Sequence, residues 1–241
     1  MKCLIIAAGK GERIRSRGES KPLIPVLGVP LIERVMKSVA AGGVAEFVVV
    51  TGYNGSQVRA FLDIASKKLG VGVTHVKNEE WDKPNGLSVL KAAHVLREPF
   101  LLSMSDHIFD PTVVTDLLQA PPDEGDVVLA VDYRVANPLI DLDDVTRVRT
   151  EDGLIRDIGK GLSQFDAFDT GLFYATTGLL DSIALSGSRD GDLSLSGGMR
   201  ILADTGRARA FDIGDRFWLD VDVPEEVDSA EAAMLEAQFA G

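Results

Sequence analysis

Cysteine is almost absent from the sequence. Cys3 is the single cysteine among 241 residues, so no disulfide can form within the chain. The lone thiol lies in an apolar run, where a cysteine is typically a small core residue rather than a nucleophile. A chain without internal disulfides suits a reducing compartment, and we therefore expect a cytoplasmic protein.

Long hydrophobic runs and an excess of positive charge are also absent. No apolar stretch approaches the about 18 residues that a membrane span needs, and the short N-terminal strand runs into a polar loop, unlike a signal peptide. There are 25 Lys and Arg against 37 Asp and Glu, which gives a formal net charge of −12. A nucleic-acid-binding protein normally presents a basic face, so this negative charge disfavours a nucleic acid partner. The short apolar runs disfavour a membrane segment.

Apolar runs alternate with helix patterns through the first half of the sequence. The predicted strands of this half are residues 4–8, 46–51, 71–77, 100–104 and 126–132, and the predicted helices are residues 30–41, 56–69, 86–97 and 111–119. Near-continuous apolar strands separated by helices are typical of a parallel sheet covered on both faces. Because such sheets bind ligands beyond the carboxyl ends of their strands, the loops after Ala8, Lys77 and Met104 are expected to meet at one site.

The pattern changes in the second half. Asp152-Gly153 separates two apolar runs, residues 145–150 and 154–159, and an Asp-Gly turn between such runs predicts a β-hairpin. Further strands are predicted at residues 169–175, 208–211 and 217–219, and further helices at residues 177–185, 193–204 and 224–239. The sequence therefore predicts an α/β fold: a Rossmann-like, mostly parallel mixed sheet with helices on both faces and an added β-rich portion.

A glycine-rich, basic loop follows the first strand. It reads Ala7-Ala8-Gly9-Lys10-Gly11-Glu12-Arg13, and Lys21 lies eight residues further on. Glycines let backbone N–H groups approach phosphate oxygens closely, and the cations neutralise them. A dinucleotide fingerprint would need glycine or alanine where Ile14 stands, and the Gly-Lys-Ser/Thr of a Walker loop is missing. The pattern favours a phosphate site over its alternative, a solvated basic loop.

This loop, together with Lys21-Pro22-Leu23, resembles the signature of the sugar-phosphate nucleotidyltransferase superfamily. Members of that superfamily join a nucleoside triphosphate to a phosphorylated alcohol and release pyrophosphate. The resemblance covers nearly the whole chain. There are two departures: Glu12 stands where the superfamily usually has Ser or Thr, and Ser20 stands where it usually has Pro. It implies one domain of the nucleotide-diphospho-sugar transferase type, with a nucleotide-binding half at residues 1–134 and an acceptor-binding half at residues 135–241.

Three carboxylates are the candidate metal ligands. Asp106 directly follows a buried strand, while Asp220 and Asp222 lie on the same side of an extended segment. Carboxylate oxygens suit Mg²⁺, and the resemblance implies a Mg²⁺ site formed by Asp106 and one of the two later residues. Asp222 is slightly favoured because it lies beside a helix start. The alternative for Asp106 is a turn-forming residue, and we expect His107 to be structural.

The resemblance also implies the substrate-binding residues. The expected nucleotide-binding residues are Ala7, Ala8, Gly9, Lys10, Gly11, Lys21, Asn85, Gly86 and Ser105. Arg13, Lys21 and Lys160 are the expected catalytic cations, and Lys160 with Asp169 and Gly171 is expected to bind the acceptor. Two alternatives stay open, since Asn85 can also cap the helix that begins at residue 86 and Lys160 can be a solvated lysine.

Three later motifs narrow the substrate. Residues 104–109, 158–160 and 169–173 look most like those of inositol-1-phosphate cytidylyltransferases, which make CDP-inositol from CTP. The implied reaction is in-line attack of a phosphorylated polyol on the α-phosphorus of CTP. In such relatives the domain is often fused to a membrane-embedded CDP-alcohol phosphotransferase, so that enzyme is an expected fused or separate partner.

Other functions on the same fold stay open. These are phosphocholine cytidylyltransferases, hexose-1-phosphate nucleotidyltransferases and a non-catalytic nucleotide or sugar-phosphate sensor. A choline site would offer aromatic faces to the quaternary ammonium. Because aromatic residues make up only 6% of the sequence, a polyhydroxylated acceptor is weakly favoured.

Overall fold

The computed structural model describes residues 1–239 and the side chains of residues 1–236. Its strands are β1 (Lys2–Ala7), β2 (Pro25–Val26), β3 (Val29–Pro30), β4 (Glu46–Thr51), β5 (Gly72–Lys77), β6 (Phe100–Met104), β7 (His107–Phe109), β8 (Val127–Asp132), β9 (Arg147–Glu151), β10 (Leu154–Gly159), β11 (Ala167–Ala175), β12 (Ala208–Asp212) and β13 (Trp218–Asp220). Its α-helices are α1 (Leu31–Ala41), α2 (Gly55–Leu69), α3 (Gly86–Lys91), α4 (Pro111–Leu117), α5 (Gly178–Asp190), α6 (Leu195–Asp204) and α7 (Pro224–Phe239).

A nine-stranded mixed sheet runs through the molecule, in the order β5-β4-β1-β6-β11-β8-β12-β10-β9. The first four strands of this order are parallel to one another. β11 lies antiparallel to both β6 and β8, and β12 runs parallel to β8. The α/β fold predicted from the sequence is confirmed, and strands from both halves of the chain belong to one sheet.

Each face of the sheet has its own apolar core. Successive residues of a strand point to opposite faces, so Cys3 and Ile5 pack under α1, α2, α4 and α7, while Leu4 and Ile6 pack under α3, α5 and α6. Both cores consist mainly of buried aliphatic and aromatic side chains. This double cover explains why the strands of the first half read as apolar runs rather than as alternating patterns.

Two pairings bring distant motifs to one edge of the sheet. β1 lies beside β6 with Ile6 opposite Met104, so the loops that follow these strands are neighbours. β13 pairs antiparallel with β7, which places Asp220 opposite His107. The phosphate loop and both acidic motifs therefore meet beyond the carboxyl ends of β1 and β6, as expected for this type of sheet.

Two predicted helix ends differ from the structure by five residues or more. The helix predicted over residues 86–97 ends at Lys91 and is followed by a short 3₁₀ turn, Ala93–Val95. The helix predicted to end at residue 185 continues through Gly187 to Asp190, and the side chain of Leu193 packs against Gly187, where a Cβ would lie 2.4 Å from it. Within residues 1–239 no helix is both long and apolar enough to cross a membrane.

Candidate functional site

The glycine-rich loop wraps around Lys21. Gly11 has a φ of +62°, and a Cβ at this position would lie 2.5 Å from the Cβ of Lys21, so both its conformation and its surroundings require glycine. Gly9 has open space where a side chain would stand. The loop borders a cavity of about 210 Å³ that Ser105 and Asp106 line from the end of β6. This cavity can receive phosphate groups against backbone and ammonium donors.

Lys21 is buried between two carboxylates. Its side chain is 9% exposed, and its ammonium group lies 2.5 Å from Asp106 Oδ2 and contacts Asp222 Oδ1. Burial alone would lower the pKa of Lys21, but Asp106, Asp222 and Asp220 together raise it well above its usual value. The ammonium group is therefore charged over the whole physiological pH range and neutralises acids that would otherwise repel one another.

His107 lies beside the same acids. Its Nδ1 is 2.8 Å from the carbonyl oxygen of Thr170, and its Nε2 is 3.5 Å from Asp220 Oδ1 and 3.8 Å from Asp106 Oδ1. Burial lowers the pKa of His107, and the carboxylates of Asp220, Asp106 and Asp169 more than offset this and raise it. Both Asp106 Oδ1 and Asp220 Oδ1 are buried and have no hydrogen-bond partner among the side chains of residues 1–236 and the backbone of residues 1–239.

The three acids differ in protonation behaviour. Burial raises the pKa of Asp106, but Lys21 and His107 outweigh it and hold that pKa below its usual range. The pKa of Asp222 is lowered in the same way, because Lys21 and Arg13 outweigh burial. Burial and the neighbouring carboxylates raise the pKa of Asp220 to about 7. Of the three acids, Asp220 therefore has the least compensating positive charge beside it.

The N-terminal end of α7 holds Asp222 in place. Glu226 accepts hydrogen bonds from the backbone N–H groups of Asp222 and Val223, at 2.5 and 2.9 Å. Arg13 lies 3.0 Å from Asp222 Oδ2, so both carboxylate oxygens of Asp222 contact a cation. The basic loop and the C-terminal acidic motif are therefore joined directly.

A second cavity, of about 330 Å³, opens on the other side of Asp106. Lys160, Asp169 and Gly171 line it, as do Asp220 and Asp222, and it shares Asp106 and Asp222 with the first cavity. The Asp169 carboxylate accepts a hydrogen bond of 2.7 Å from the N–H of Gly171. Burial raises the pKa of Asp169 to about 6. The two cavities can hold two substrates on either side of one group of acids.

Asp144 is a site residue that the sequence did not reveal. Its carboxylate lies 2.8 Å from Arg13 and 2.6 Å from Lys160, and thus joins the basic loop to the hairpin end. It also lies close to Asp220 and Asp222. The signal that could have found it is its place in the acidic run at residues 141–144, just before the hairpin that ends at Lys160.

Other expected residues lie around these cavities or outside them. Ala8 and Lys10 do not line either cavity, and Lys10 pairs with Glu12 at 2.5 Å. Gly86 also lies outside both, and a Cβ there would meet the carbonyl oxygen of Leu193 at 2.4 Å, so its glycine is explained by packing.

Asn85 lines both cavities. The alternative that Asn85 caps the helix beginning at residue 86 is wrong, because its side chain makes no capping hydrogen bond to α3. Its side-chain oxygen instead accepts a hydrogen bond of 2.9 Å from the N–H of Leu195 at the start of α6. Its amide NH₂ is left to donate to a ligand.

The fold and the site define a class of enzyme. A glycine-rich basic loop, a buried lysine between carboxylates and an adjoining second cavity form the arrangement of an NTP transferase, which binds a nucleoside triphosphate beside an acceptor. Positioning and electrostatic stabilisation do most of the work in such phosphoryl chemistry.

The chain belongs to the family of MobA-like NTP transferase domains, whose profile matches residues 3–159. It is 38% identical to the bifunctional IPC transferase and DIPP synthase of Rubrobacter xylanophilus, over 96% of this chain and 51% of that protein. The protein of the same name from Archaeoglobus fulgidus is 30% identical, over 100% of this chain and 45% of that protein. The chain thus spans about half the length of the curated relatives it matches.

Solved structures agree with this family. The inositol-1-phosphate CTP transferase from T. maritima superposes with a TM-score of 0.81 and 29% identity, over 96% of this chain and 94% of that one. A UDP-glucose pyrophosphorylase bound to UDP-glucose superposes with a TM-score of 0.80 at 18% identity, over 98% of each chain, and shows the shared fold.

Proposed function

We propose that the chain is a CTP:inositol-1-phosphate cytidylyltransferase, which forms CDP-inositol and pyrophosphate. The two relatives named bifunctional IPC transferase and DIPP synthase align with 96% or more of the chain. The inositol-1-phosphate CTP transferase from T. maritima superposes on 96% of it. The observation that carries the proposal is that Asp106, which contacts Lys21, lines two cavities, one bordered by the glycine-rich loop and one by Lys160.

The reaction follows from this arrangement. CTP lies in the first cavity with its phosphates against the glycine-rich loop, and the acceptor lies in the second with its phosphate at Lys160. An oxygen of the acceptor phosphate attacks the α-phosphorus in line, and pyrophosphate leaves. Lys21 and Arg13 stabilise charge on the leaving group, and Lys160 offsets the repulsion between two anions held close together.

The acids fit a divalent cation. Asp106 Oδ1 and Asp220 Oδ1 are buried oxygens without a hydrogen-bond partner among the described residues, and Lys21 already acts as a positive counter-charge at Asp106 and Asp222. Asp106 with Asp220 or Asp222 would hold Mg²⁺, for which hard carboxylate oxygens are the usual ligands. When bound, the ion supplies charge neutralisation and orientation for phosphate oxygens.

A pyrophosphate-release screen tests the proposal. CTP, UTP, GTP and ATP would each be combined with inositol 1-phosphate, phosphocholine and glucose 1-phosphate. We expect CTP with inositol 1-phosphate to give the highest kcat/KM. A clear preference for UTP or GTP would remove the cytidylyltransferase assignment, and turnover with glucose 1-phosphate or phosphocholine would move it to one of those acceptors. No turnover with any pair would favour the sensor.

We further propose a cytoplasmic enzyme whose product is used by a membrane-embedded CDP-alcohol phosphotransferase, fused or separate. The single thiol of Cys3 is fully buried and needs no oxidising compartment. Membranes from the source cells should then convert radiolabelled CDP-inositol into an inositol-containing lipid or phosphodiester and release CMP. Labelled CDP-inositol that stays intact would contradict this partner.

Replacing Lys160 by alanine should raise the KM for the acceptor more than the KM for CTP. The Lys160 side chain is 58% exposed at the second cavity, and its ammonium group contacts the carboxylate of Asp144. Loss of one charge-assisted contact of about 1.5–3 kcal/mol corresponds to a roughly 10- to 150-fold rise in the acceptor KM. Lys68→Ala, in an exposed part of α2, is the matched control. A larger effect on the KM for CTP would assign Lys160 to the nucleotide.

Asp169→Asn should make the protein more heat-stable above pH 6 while weakening acceptor binding. The pKa of Asp169 is about 6 in the folded chain, against about 3.9 for a free carboxyl group. Between these values the unfolded chain loses the proton and the folded chain keeps it, so the free energy of unfolding falls as the pH rises. Asparagine keeps the oxygen that accepts a hydrogen bond from the N–H of Gly171, and it removes the charge of this half-buried side chain.

Melting temperatures from pH 4 to pH 8 check this expectation. The variant should melt roughly 5 °C above the parent chain at pH 8, and the gap should close towards pH 4. A gap that does not change with pH would show that the carboxyl group of Asp169 does not titrate in this way.

A further inference from the structure

The tautomer of His107 is fixed by a backbone carbonyl. Its Nδ1 is 2.8 Å from the carbonyl oxygen of Thr170, and a carbonyl can only accept, so Nδ1 carries a hydrogen. In the neutral ring the lone pair is therefore on Nε2. Nε2 faces Asp106 and Asp220 from the edge of the second cavity.

The spacing of these groups is unlike that of a hydrogen-bonded cluster. Nε2 lies 3.5 Å from Asp220 Oδ1 and 3.8 Å from Asp106 Oδ1, and both distances are too long for hydrogen bonds. Both carboxylate oxygens are buried and have no hydrogen-bond partner in the part of the chain that the structure describes. Ligand atoms that each lie about 2.1 Å from one ion are separated by roughly 3–4 Å. One ligand atom from each of the three residues lies within 4.8 Å of the others.

The fold holds the His107 ring in this position. Gly171 has a φ of +73°, and a Cβ there would come within 2.4 Å of His107 Nδ1, so the glycine makes room for the ring. The Trp218 ring stacks on the imidazole at 6.2 Å between centroids, and its Nε1 donates to Asp132 at 2.7 Å. A histidine whose second nitrogen donates to a carbonyl is the usual orientation of a metal ligand.

We propose that His107 Nε2, together with Asp106 and Asp220, binds the divalent cation, and that this nitrogen makes the site bind Mn²⁺ or Co²⁺ more tightly than Mg²⁺. Imidazole is a better ligand for first-row transition metals than for Mg²⁺, which prefers oxygen. Asp222 keeps its contacts with Lys21 and Arg13. The inference rests on the proposed function in placing the metal at Asp106, but its test needs no turnover.

Pulsed EPR of Mn²⁺ bound to the whole chain tests the proposal. A histidine ligand couples its ¹⁴N nucleus to the manganese and modulates the electron spin echo. We expect this nitrogen modulation in the parent chain and in the control His94→Asn, which changes an exposed histidine whose Nδ1 contacts Lys91. We expect its loss in His107→Asn, because the shorter amide can still donate to Thr170 and offers nothing at the Nε2 position.

Metal affinities give a second readout. His107→Asn should weaken Mn²⁺ binding by about 10-fold or more, since even the loss of a residue that only supports a metal ligand costs about that much. The affinity for Mg²⁺ should change much less. His107→Gln, which can place an amide oxygen near the Nε2 position, should recover part of the Mn²⁺ affinity. Circular dichroism and melting temperature establish that each variant is folded.

Three outcomes would overturn the proposal. They are bound Mn²⁺ without nitrogen modulation in the parent chain, unchanged modulation in folded His107→Asn, and equal loss of Mn²⁺ and Mg²⁺ affinity in that variant. None of them would alter the pyrophosphate-release screen, so failure of this inference and failure of the cytidylyltransferase proposal are distinguishable.

Discussion

Asp106→Asn is expected to lower kcat for pyrophosphate release by about 100- to 1,000-fold, the effect of removing one preorganised electrostatic contact. Asparagine matches the carboxylate in shape but lacks the charge that Lys21 contacts at 2.5 Å. It also lacks the unpartnered anionic oxygen that faces the second cavity. The melting temperature should move by no more than about 4 °C, which corresponds to about 1 kcal/mol in a chain of this length.

Asp63→Asn is the matched control for this change. Asp63 is 63% exposed on α2 and pairs with His75 at 2.9 Å, away from both cavities. The control should keep the parent kcat. Full turnover by folded Asp106→Asn would remove Asp106 from the metal site and from the reaction.

Lys21→Met should be inactive, and it should also lose about 3–5 kcal/mol of folding free energy, because it leaves buried acids without their counter-charge. The methionine chain fills the space beside Gly11 but leaves Asp106, Asp220 and Asp222 to repel one another. The pKa values of Asp106 and Asp222, which Lys21 holds down, should rise. The variant should therefore regain stability as the pH falls and these acids become protonated.

Divalent cations give this prediction a second measurement. An added divalent cation replaces the lost positive charge, so it should raise the melting temperature of Lys21→Met more than that of the parent chain. Lys68→Met changes a lysine that is 71% exposed, and it should behave like the parent in both respects. Equal metal responses in Lys21→Met and the parent would show that Lys21 and the cation do not act on the same acids.

Most of the fold could be predicted because its signals are local. The strands at Glu46–Thr51 and Phe100–Met104 have the predicted bounds, since each is a short apolar run with a clear break on both sides. The turn at Asp152-Gly153 is also confirmed, with φ values of +52° and +76°. The pairing of β13 with β7 could not be predicted, because it joins segments more than a hundred residues apart.

Site residues could be predicted where a single short segment contains a recognisable motif. The glycine-rich loop, Lys21 and Asp106 each stand directly beside a strand or a distinctive motif. Asp144 has only the acidic run at residues 141–144 as a local signal, and this run does not reveal its partner Arg13, which is 131 residues away. From the sequence, His107 was expected to be structural. Its neighbours could not be read from the sequence, because only the three-dimensional fold places its Nε2 beside the Oδ1 atoms of Asp220 and Asp106.

A crystal structure with CTP, Mn²⁺ and a non-reactive acceptor analogue tests the central claim most directly. We expect one ion about 2.1 Å from an oxygen of Asp106, the triphosphate along Gly9 and Gly11 with Lys21 beside it, and the acceptor phosphate at Lys160. A nucleotide bound elsewhere, or an ion that does not contact Asp106, would contradict the proposed reaction at this site.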